Sequence, residues 1–580
     1  MQYKDSRIDT KELVMCNLYP HSHSFQLTDT LVSVCDICGY PTTPFSTNAE
    51  CTKCHMVIHS DCSESCYLPC VSLEEATTLK TEKAHEDHLS PENDALLKRS
   101  LSERGILNGH HVIESCSSLV QNATCVVCRS IIVSLSCLHC RICGVYLHSE
   151  CKDALQNTCR PISLPSERDY HWFVNGNCLL NANTNSNNTC IVCKQSVGSR
   201  IALTDFRCCM CGMVVHGSCI HSAPPICYHG VLGKYVISPS LTQMDEYGDY
   251  KAVYRRDKTP MIFFVNPKSG NLLGEFLQNK TQELFSLPQV CNVLQGFDKI
   301  VKYIEEYGNK FIAVICGGDG TVGWVMNEMK KANKKPQYFI IPLGTGNDLS
   351  ICTGWGGGYD GGDLITLLRQ VQYALVQPLD RWRVSIHHKD AKEDRTIVLN
   401  NYFSVGIDAG IALDFHQRRQ ANPKMFGSRI GNKVQYMFSS PVALTGDVGD
   451  INKVIQLRVD GVNIELPPLE GIAFLNVSTY GGGNKFFDVV TDEECMLGMK
   501  DSNFGDGLIE VIAFSSFVEM PFLMTGMQQP VKIAQGTVIE ITVLEKKPAQ
   551  TDGEPFMLEP CNVIISLFDK VDILVKNPFY

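Results

Sequence analysis

A single spacing of cysteine and histidine, C-x2-C-x4-H-x2-C-x7-C, occurs three times in the first 230 residues. A second C-x2-C pair precedes each copy, and a histidine that stands two residues before an apolar side chain precedes that pair. Six cysteines and two histidines make eight ligands per copy, the number that two closed tetrahedral zinc sites require. The ligands are His23, Cys35, Cys38, Cys51, Cys54, His59, Cys62 and Cys70 in the first copy; His111, Cys125, Cys128, Cys140, Cys143, His148, Cys151 and Cys159 in the second; and His171, Cys190, Cys193, Cys208, Cys211, His216, Cys219 and Cys227 in the third.

Metal binding is expected to drive the folding of each copy. A segment of about 50 residues buries too little apolar surface to fold securely by itself. A structural zinc ion supplies an apparent folding free energy of about 10–16 kcal/mol. We therefore predict three zinc-stabilised domains, at residues 22–70, 110–159 and 170–227, with six zinc ions in all. Unpaired thiols are the alternative, and three repeats of one spacing argue against it.

Composition favours an intracellular protein. Twenty-four of the 29 cysteines lie before residue 231. The first residues, MQYKDSRIDTKELVM, lack the apolar core of a signal peptide, and no window approaches 18 uninterrupted apolar residues. We therefore expect a cytoplasmic protein with metal-binding thiols instead of disulfides. The formal charge of −11 leaves no basic surplus to neutralise a phosphate backbone, which argues against a nucleic-acid partner.

The three copies resemble the cysteine-rich zinc domain of the protein-kinase-C type, the diacylglycerol and phorbol-ester module. This resemblance implies that the first histidine of a copy shares one zinc ion with the third, fourth and sixth cysteines. The first two cysteines, the second histidine and the fifth cysteine then hold the other zinc ion. A ring-type or plant-homeodomain-type finger is the competing class, but it would not need the upstream histidine three times.

Diacylglycerol binding by these copies is weakly supported. Lipid-binding members of the family usually carry a Gln-Gly pair just before the third cysteine. The corresponding stretches GYPTTPFSTNAE, RSIIVSLSCLH and KQSVGSRIALTDFR contain no such pair. The third copy also has an Asn-rich insertion, NGNCLLNANTNSNN, before its first C-x2-C pair. Residues 71–109 are polar and free of cysteine, which predicts a linker.

The second half of the chain places three glycine-containing loops after three apolar segments. Met261–Val265, Phe311–Ile315 and Tyr338–Pro342 are predicted as buried strands. Asp298–Lys310 has the spacing of a helix, and Thr321 is predicted to cap the helix after the second loop. Alternating strands and helices predict a parallel sheet with right-handed crossovers. Ligands bind beyond the carboxyl ends of such strands, so all three loops are expected at one site.

These loops have the chemistry of a phosphate site. Glycine lets backbone N–H groups approach phosphate oxygens, and the N-terminus of a following helix adds a favourable dipole. The segment GGDGTVGW has neither the Gly-Lys-Ser/Thr of a Walker A loop nor the spacing of a dinucleotide fingerprint. A tight turn without a ligand explains any one loop equally well. Three loops at one sheet edge favour phosphate binding.

The segments VNPKSG, ICGGDGT and PLGTGNDLS resemble the nucleotide-binding segments of the diacylglycerol kinases, in a superfamily that also holds sphingosine, ceramide and NAD kinases. The resemblance continues through PLDRWRVSI, NNYFSVGIDAGIALDFH, NKVQYMF, GIAFLNVSTYGGG, DGLIEV and TDGEPF. It implies a catalytic α/β lobe at residues 258–385 and an accessory β-rich lobe at residues 386–575. Three zinc domains are similar to the theta-type arrangement of the eukaryotic members, although no pleckstrin-homology-like segment stands before the catalytic lobe.

The resemblance also implies the site residues. Asp319 stands inside the phosphate loop, where a bare carboxylate would repel ATP, so it is expected to reach the phosphates through magnesium. Glu554 is the expected general base, with Asp552 beside it. Three further acidic positions are expected to support the metal or to organise the site, with a structural ion pair as the alternative; they are Asp348, Asp380 and Asp506. The implied nucleotide contacts are Asn266, Ser269, Gly270, Gly317, Gly318, Asp319, Gly320, Thr321, Gly344, Thr345 and Gly346.

Seven short β-rich runs follow Asp380 and predict a β-sandwich, which would place the active site in a cleft between two lobes. The runs are RWRVSIHH, TIVLNNYFSVGI, VIQLRVDG, GIAFLNVS, LIEVIAF, VIEITVL and NVIISLF. Residues 416–433 carry five Lys or Arg and no acid. A solvated face is the simpler explanation of this basic stretch, and contact with anionic lipid is the alternative.

The sequence thus predicts a multidomain enzyme with three small zinc domains and a two-lobed lipid kinase. The resemblance implies that it phosphorylates diacylglycerol to phosphatidic acid with ATP and magnesium, attenuates diacylglycerol signalling, and is recruited from the cytoplasm to membrane surfaces as a peripheral protein. A sphingoid or ceramide kinase is the nearest alternative. A catalytically silent zinc-module scaffold at membranes is the alternative from another class, and the matched acidic positions argue against it.

Overall fold

A computed structural model of the chain describes residues 24–28, 33–34, 41–42, 48–52, 57–60, 107–108, 111–116, 125, 127, 132, 137–155, 159–164, 169, 171, 173–175, 189–197, 205–224, 226–270, 273–388, 394–421, 450–516, 519–524 and 526–579. They form two compact units. The first contains residues up to 260 together with 279–289 and 302–307, and the second contains the rest of 261–580. Within these ranges, no helix combines the length and apolar character that a membrane crossing requires.

Short antiparallel sheets build the first unit. Three of them have three strands each, in the orders β1-β4-β5, β7-β8-β9 and β11-β12-β13. The strands are β1 (Phe25–Thr28), β2 (Ser33–Val34), β3 (Pro41–Thr42), β4 (Asn48–Cys51), β5 (Val57–His59), β6 (Leu107–Asn108), β7 (Ile113–Cys116), β8 (Cys137–Cys140), β9 (Tyr146–His148), β10 (Pro161–Ser163), β11 (Phe173–Asn175), β12 (Asp205–Cys208), β13 (Val214–His216), β14 (Thr242–Met244) and β15 (Tyr250–Ala252).

The three-stranded sheets repeat one register. In each, the apolar residue that stands two positions after the upstream histidine pairs with the third cysteine of the same copy. The second histidine of each copy ends the third strand. The repeated ligand spacing is therefore also a repeat of structure, and the apolar residue of the His-x-apolar signal lies opposite a ligand cysteine. The paired residues are Phe25 and Cys51, Ile113 and Cys140, and Phe173 and Cys208.

A ten-stranded mixed sheet forms one layer of the second unit, in the order β17-β16-β18-β19-β33-β30-β23-β24, with β20 paired to β33 and β21 paired to β20. Its strands are β16 (Met261–Val265), β17 (Val290–Asn292), β18 (Ile312–Gly317), β19 (Gln337–Pro342), β20 (Leu375–His388), β21 (Arg395–Leu399), β23 (Ile455–Val459), β24 (Val462–Ile464), β30 (Val538–Val543) and β33 (Cys561–Val575). The pairs from β17 to β19 are parallel, whereas β20 and β30 each pair antiparallel with β33. The α-helices among the described residues are α1 (Leu273–Leu284), α2 (Asp298–Tyr303), α3 (Asp319–Lys331), α4 (Asp348–Cys352), α5 (Leu364–Gln370), α6 (Ile407–Ala421), α7 (Asp492–Met496) and α8 (Met520–Met524).

A six-stranded antiparallel sheet faces the antiparallel half of this layer, in the order β29-β28-β25-β22-β31-β32. Its strands are β22 (Tyr402–Gly406), β25 (Gly471–Leu475), β28 (Ile509–Phe514), β29 (Val531–Gly536), β31 (Lys547–Thr551) and β32 (Glu554–Leu558); a two-stranded hairpin, β26 (Thr479–Tyr480) and β27 (Asn484–Lys485), lies beside it. Buried side chains of both sheets, such as Trp382, Phe403 and Val563, share one apolar core. This core is that of a β-sandwich.

The predicted strands and the mixed architecture of the catalytic half are confirmed. Met261–Val265 is a strand over the whole predicted range, and all seven β-rich runs contain strands. The predicted helix over Asp298–Lys310 is shorter: α2 ends at Tyr303 and a 3-10 turn follows at Glu305–Tyr307. The predicted junction at residue 385 falls inside β20, so one strand continues from one lobe into the other. Most of the basic stretch at 416–433 lies outside the described residues.

Candidate active site

The three glycine-containing loops emerge together at one edge of the ten-stranded sheet. Val265, at the end of β16, pairs with Cys316 of β18. Gly317 of β18 pairs with Pro342, at the end of β19. This register aligns the strand ends, so the chain enters all three loops at the same level. The loops are thus at one edge, as the sequence predicts.

A side chain ties the first loop to the second. Asn266 Nδ2 donates to Thr321 Oγ1 over 3.2 Å, and the Asn266 main-chain N–H donates to the Cys316 carbonyl oxygen over 3.1 Å. The sequence predicts Thr321 as the cap of the following helix, and this prediction is wrong. Helix α3 begins two residues earlier, at Asp319, because Gly318 is the extended N-cap residue. Thr321 lies in the first turn, where its hydroxyl accepts the bond from Asn266.

Glycine is required where the second and third loops meet. A Cβ atom on Gly344 would lie 2.7 Å from the Gly318 Cα, and one on Gly317 would lie 2.5 Å from the Thr321 Cβ. No real Cβ approaches so closely, so a larger residue would push the loops apart. At the first loop, Gly270 has φ +66°, a conformation that favours glycine. The loops therefore pack main chain against main chain and leave their N–H groups close together.

Several of the predicted nucleotide contacts keep accessible surface. Ser269 and Gly270 in the first loop and Thr345 and Gly346 in the third are half-buried, while Gly320, in the first turn of α3, is exposed. A helix N-terminus with accessible N–H groups is a favourable site for phosphate oxygens. The structure thus places the predicted contacts on one accessible edge, next to the start of α3.

Asp319 lies among other carboxylates at this edge. Burial raises the pKa of Asp319 to about 7, and the neighbouring carboxylates of Asp348 and Asp552 raise it further. Its carboxylate accepts hydrogen bonds from the Asp348 main-chain N–H, over 3.2 Å, and from the Asn401 side chain. Crowded carboxylates repel one another, and a divalent cation would relieve this repulsion. Hard oxygen ligands of this kind suit magnesium.

The raised pKa of Asp319 predicts a specific pH dependence of stability. Because the folded pKa of this carboxyl is higher than the unfolded one, its contribution to stability is present at low pH and is lost as the pH rises towards 7. Asp319→Asn should therefore raise the thermal midpoint of the magnesium-free protein by an amount that grows from pH 5 to pH 7 and is constant above. Thermal melts of the zinc-loaded protein in buffer without magnesium, across this range, measure the difference. A difference that is the same at every pH would contradict the assignment.

Asp348 is held by a run of glycines that the sequence analysis assigned no role. Its carboxylate accepts from the N–H of Gly482, over 2.9 and 3.0 Å, and of Gly483, over 2.9 Å. These glycines have φ of +88° and +113°, values that let successive N–H groups point to one side. Asp348 is 1% exposed. It therefore joins the third loop to the β26–β27 hairpin. The sequence feature that could have predicted this contact is the run of three glycines directly after β26.

Glu554 faces the phosphate loop from the six-stranded sheet. Asp552 and Gly553, with φ of +48° and +83°, form the two-residue turn between β31 and β32, across which Thr551 pairs with Glu554. Asp-Gly suits such a turn because both central residues need positive φ. Glu554 is exposed, and its Oε1 lies 3.9 Å from the position of a Cβ atom on Gly320. The turn thus brings an accessible carboxylate to the first turn of α3.

Asp552 has a different environment from Glu554. Its Oδ1 accepts from the N–H groups of Asn401 and Tyr402, over 2.7 and 3.0 Å, and its Oδ2 accepts from the N–H and Nδ2 of Asn400, over 3.0 and 3.1 Å. Four donors surround this carboxylate, so it anchors the start of β22. The sequence analysis assigned no role to Asn400 and Asn401, and because three of the four donors are main-chain N–H groups, no side-chain pattern signals this contact.

Asp380 and Asp506 form a separate acidic group. Asp380 is 0% exposed; its Oδ1 lies 2.9 Å from Lys570 Nζ, and its Oδ2 accepts from the Gly507 N–H over 2.6 Å. Burial raises the pKa of Asp506, and Asp380 raises it further, which places the two carboxylates near each other. Both oxygens of Asp380 have partners. These contacts favour the structural ion pair over a metal ligand for Asp380.

The Asp380–Lys570 pair predicts a stability effect. Lys570→Met should lower the free energy of unfolding by about 1–3 kcal/mol, because the buried carboxylate of Asp380 loses its counter-charge while the half-exposed position of Lys570 admits water. Denaturant unfolding of the full chain measures this loss. The double variant with Asp380→Asn should recover most of it, since the uncompensated charge is then removed. A single variant as stable as the wild type would contradict the pairing.

The third cysteine-rich copy brings its ligands together in two groups of four. Within each group the ligand atoms lie within 4.8 Å of one another. His216 Nδ1 lies 3.2 Å from Cys193 Sγ, and its Nε2 lies 3.0 Å from the Ser196 carbonyl oxygen. A carbonyl partner at Nε2 directs Nδ1 towards the other ligand atoms of the group, the usual outer contact of a ligand histidine. The groups are His171, Cys208, Cys211 and Cys227, and Cys190, Cys193, His216 and Cys219.

The second copy repeats the arrangement as far as the structure describes it. One group has four members, and another brings three of the predicted ligands together, while Cys128 lies outside the described residues. In the first copy only Cys51 is described with its side chain, so its predicted sites also fall outside. The memberships follow the division that the protein-kinase-C-type resemblance implies. They are His111, Cys140, Cys143 and Cys159, and Cys125, His148 and Cys151.

Comparison with known proteins identifies the two parts of the second unit. Residues 260–380 match the diacylglycerol kinase catalytic domain, and residues 398–555 match the diacylglycerol kinase accessory domain. A probable diacylglycerol kinase 3 of Caenorhabditis elegans is 28% identical over 508 residues, which cover 78% of this chain and 62% of that protein. Diacylglycerol kinase theta of Mus musculus and of Homo sapiens is 34% identical over 325 residues, or 53% of this chain and 34% of theirs. The chain thus spans less than two thirds of the length of these relatives.

Among solved structures, a putative diacylglycerol kinase from Bacillus anthracis aligns with 55% of this chain and 97% of its own, at 19% identity and a TM-score of 0.37. A yeast NADH kinase aligns with 57% of this chain and 86% of its own, at 12% identity and a TM-score of 0.30. The sequence matches are the more specific result. They show that the second half of the chain carries a diacylglycerol kinase catalytic domain followed by a diacylglycerol kinase accessory domain.

Proposed function

We propose that this protein is a eukaryotic-type diacylglycerol kinase that transfers the γ-phosphoryl group of ATP to the hydroxyl of diacylglycerol and forms phosphatidic acid, attenuating diacylglycerol signalling. One observation carries the proposal: the accessible carboxylate of Glu554 faces Gly320, in the first turn of the helix that follows the phosphate loop. A base and a phosphate site face each other across a short gap. An alcohol oxygen held between them would meet both.

Each residue then has a role in the transfer. Glu554 accepts the proton of the lipid hydroxyl as its oxygen bonds to the γ-phosphorus. The bond from that phosphorus to the bridging oxygen breaks, and ADP leaves with the electron pair. N–H groups of the glycine loops hold the phosphate oxygens, and the first turn of α3 adds its dipole. Asp319 would hold magnesium, which supplies charge neutralisation at the phosphates when bound.

Two further carboxylates organise this site without contacting substrate. Asp552 fixes the start of β22 through backbone N–H groups of Asn401 and Tyr402. Asp348 fixes the third loop to the glycine turn at Gly482. We assign Asp380 and Asp506 to the support of the β20–β33 region.

We also propose that the cysteine-rich copies at 22–70, 110–159 and 170–227 hold six zinc ions. Four cysteine and histidine groups among the described residues support this assignment. Their role would be to fold these domains and to help a cytoplasmic protein reach membrane surfaces where diacylglycerol lies.

A panel of lipids tests the proposal. Purified protein, labelled ATP and magnesium are incubated with vesicles that contain diacylglycerol, sphingosine or ceramide. Labelled phosphatidic acid from diacylglycerol alone is the expected result. A preference for sphingosine or ceramide would replace the assignment with a sphingoid or ceramide kinase. Transfer to none of them would favour the zinc-module scaffold.

A further inference from the structure

A buried polar cluster behind the site links the two turns that carry its carboxylates. Three side chains from different elements donate to a single oxygen, Oδ2 of Asp408, which is the second residue of α6. All four residues of this cluster are almost completely buried, at 0–1% exposure. They are Asp408, Ser404, Tyr480 and Gln550, and we call them the Asp408 hub.

The bonds among the members of the hub converge on Asp408 Oδ2. Tyr480 Oη donates to Asp408 Oδ2 over 2.5 Å. Gln550 Nε2 donates to the same oxygen over 2.8 Å and lies 3.0 Å from Tyr480 Oη. A polar network of this kind is stabilising when its groups are satisfied and costly when one is removed, since the rest lose partners away from water. The hub therefore specifies one arrangement of the elements that it joins.

One of these elements leads to Asp348. Tyr480 ends β26 and is followed directly by Gly481–Gly483, of which Gly482 and Gly483 donate their N–H groups to the Asp348 carboxylate. The Asp348 N–H in turn donates to Asp319 over 3.2 Å. A displacement of Tyr480 would thus be transmitted to Asp319, the carboxylate proposed to hold magnesium, through the Gly481–Gly483 turn and Asp348.

The other element leads to Glu554. Gln550 lies on β31 two positions before the Asp552–Gly553 turn, and Glu554 is the first residue beyond that turn. The same hub therefore fixes the strand that presents the base. The hub therefore supports the positions of both Asp319 and Glu554, although none of its four residues belongs to the phosphate loop.

We propose that the Asp408 hub is a positioning element that sets the spacing between Asp319 and Glu554, with Tyr480 as its decisive member. This inference rests on the proposed function for its effect on catalysis. Its effect on the two turns does not depend on that function, which lets the two be tested separately.

The test compares Tyr480→Phe with Tyr303→Phe in the full chain. Tyr303 is a matched control: it is 2% exposed, and its hydroxyl lies 3.1 Å from Thr242 Oγ1, in the first compact unit, whereas the glycine loops and Glu554 belong to the second. Tyr480→Phe should lower kcat for diacylglycerol by about 10–100-fold, the range usual for the loss of an outer-shell contact, with KM for the lipid nearly unchanged. Tyr303→Phe should keep kcat.

Hydrogen–deuterium exchange gives a readout that needs no activity. Tyr480→Phe should speed exchange in the peptides that cover 479–485 and 549–554, whereas Tyr303→Phe should leave both unchanged. Asp408→Asn keeps an acceptor for Tyr480 and should retain more turnover than Asp408→Leu. A wild-type protein that phosphorylates no lipid would remove the proposed function, and the exchange result would still decide the hub.

Two results would overturn the inference. The first is a Tyr480→Phe variant with wild-type turnover and unchanged exchange in both peptides. The second is faster exchange throughout residues 308–580 with turnover reduced only in proportion to the folded fraction, because the hub would then contribute general stability.

Discussion

Glu554→Gln is expected to lower turnover by about 10²–10⁴, the range usual for the loss of a general base. Glutamine keeps the shape of the side chain and removes its ability to take the proton of the lipid hydroxyl. The affinity for ATP should stay nearly unchanged, because Glu554 lies on β32 and the phosphate site is formed by the glycine loops. Initial rates at varied ATP and diacylglycerol separate kcat from KM.

Asp552→Asn is the matched control for this experiment. Asp552 stands two residues away and accepts four hydrogen bonds from Asn400, Asn401 and Tyr402. Its replacement should lower the thermal midpoint, and any loss of turnover should follow that loss of stability. A Glu554→Gln variant with near-normal turnover, next to a folded Asp552→Asn variant that has lost it, would exchange the two roles.

Cys211→Ser is expected to unfold the third cysteine-rich copy and to lower the zinc content of the chain from six ions to four. Cys211 belongs to one of the two ligand groups of that copy, and each structural zinc supplies about 10–16 kcal/mol of apparent folding free energy. A domain of this size has too small an apolar core to stay folded without it. The other two copies share no ligand with the third, so their zinc should remain.

Cys209→Ser supplies the control, because Cys209 is 6% exposed and is not a member of the ligand groups among the described residues. This variant should keep six zinc ions. Zinc per chain is measured by elemental analysis of the purified protein, and folding of each copy by limited proteolysis. A wild-type content near three ions would show that each copy holds one metal and would remove the two-site assignment.

The sequence was informative where structure repeats a local pattern. The strand Met261–Val265 is a continuous apolar run, and its bounds are those predicted. The ligands of the third copy follow from a spacing that recurs three times, and their two groups are those that the protein-kinase-C-type resemblance implies. Local sequence patterns of this kind predict the structure correctly because few tertiary contacts favour a different local conformation.

Contacts between distant segments were out of reach. Asp348 is gripped by Gly482, 134 positions along the chain, and Asp380 is paired with Lys570, 190 positions along. The local sequence around a carboxylate beside a glycine loop does not show whether its partner is a metal ion, a lysine or a main-chain N–H group. Partner identity is set by the sheet order, which places late strands beside early ones. The prediction that Thr321 caps the helix is wrong for a local reason, because Gly318 is the N-cap and the helix therefore begins at Asp319.

The long strands at the centre of the ten-stranded sheet restrict how this protein can move. β20 has 14 residues and β33 has 15, and they pair along nearly their whole length while joining the parallel strands to the sandwich. A hinge between catalytic and accessory parts would have to break this ladder. Under the proposed function, admission of a lipid and release of its product would therefore depend on loops at the sheet edge. A chain that ends at residue 380 would lack β33, and the edge of β19 that pairs with β33 would be exposed to solvent. The catalytic part is therefore a sequence domain that is not an independent folding unit.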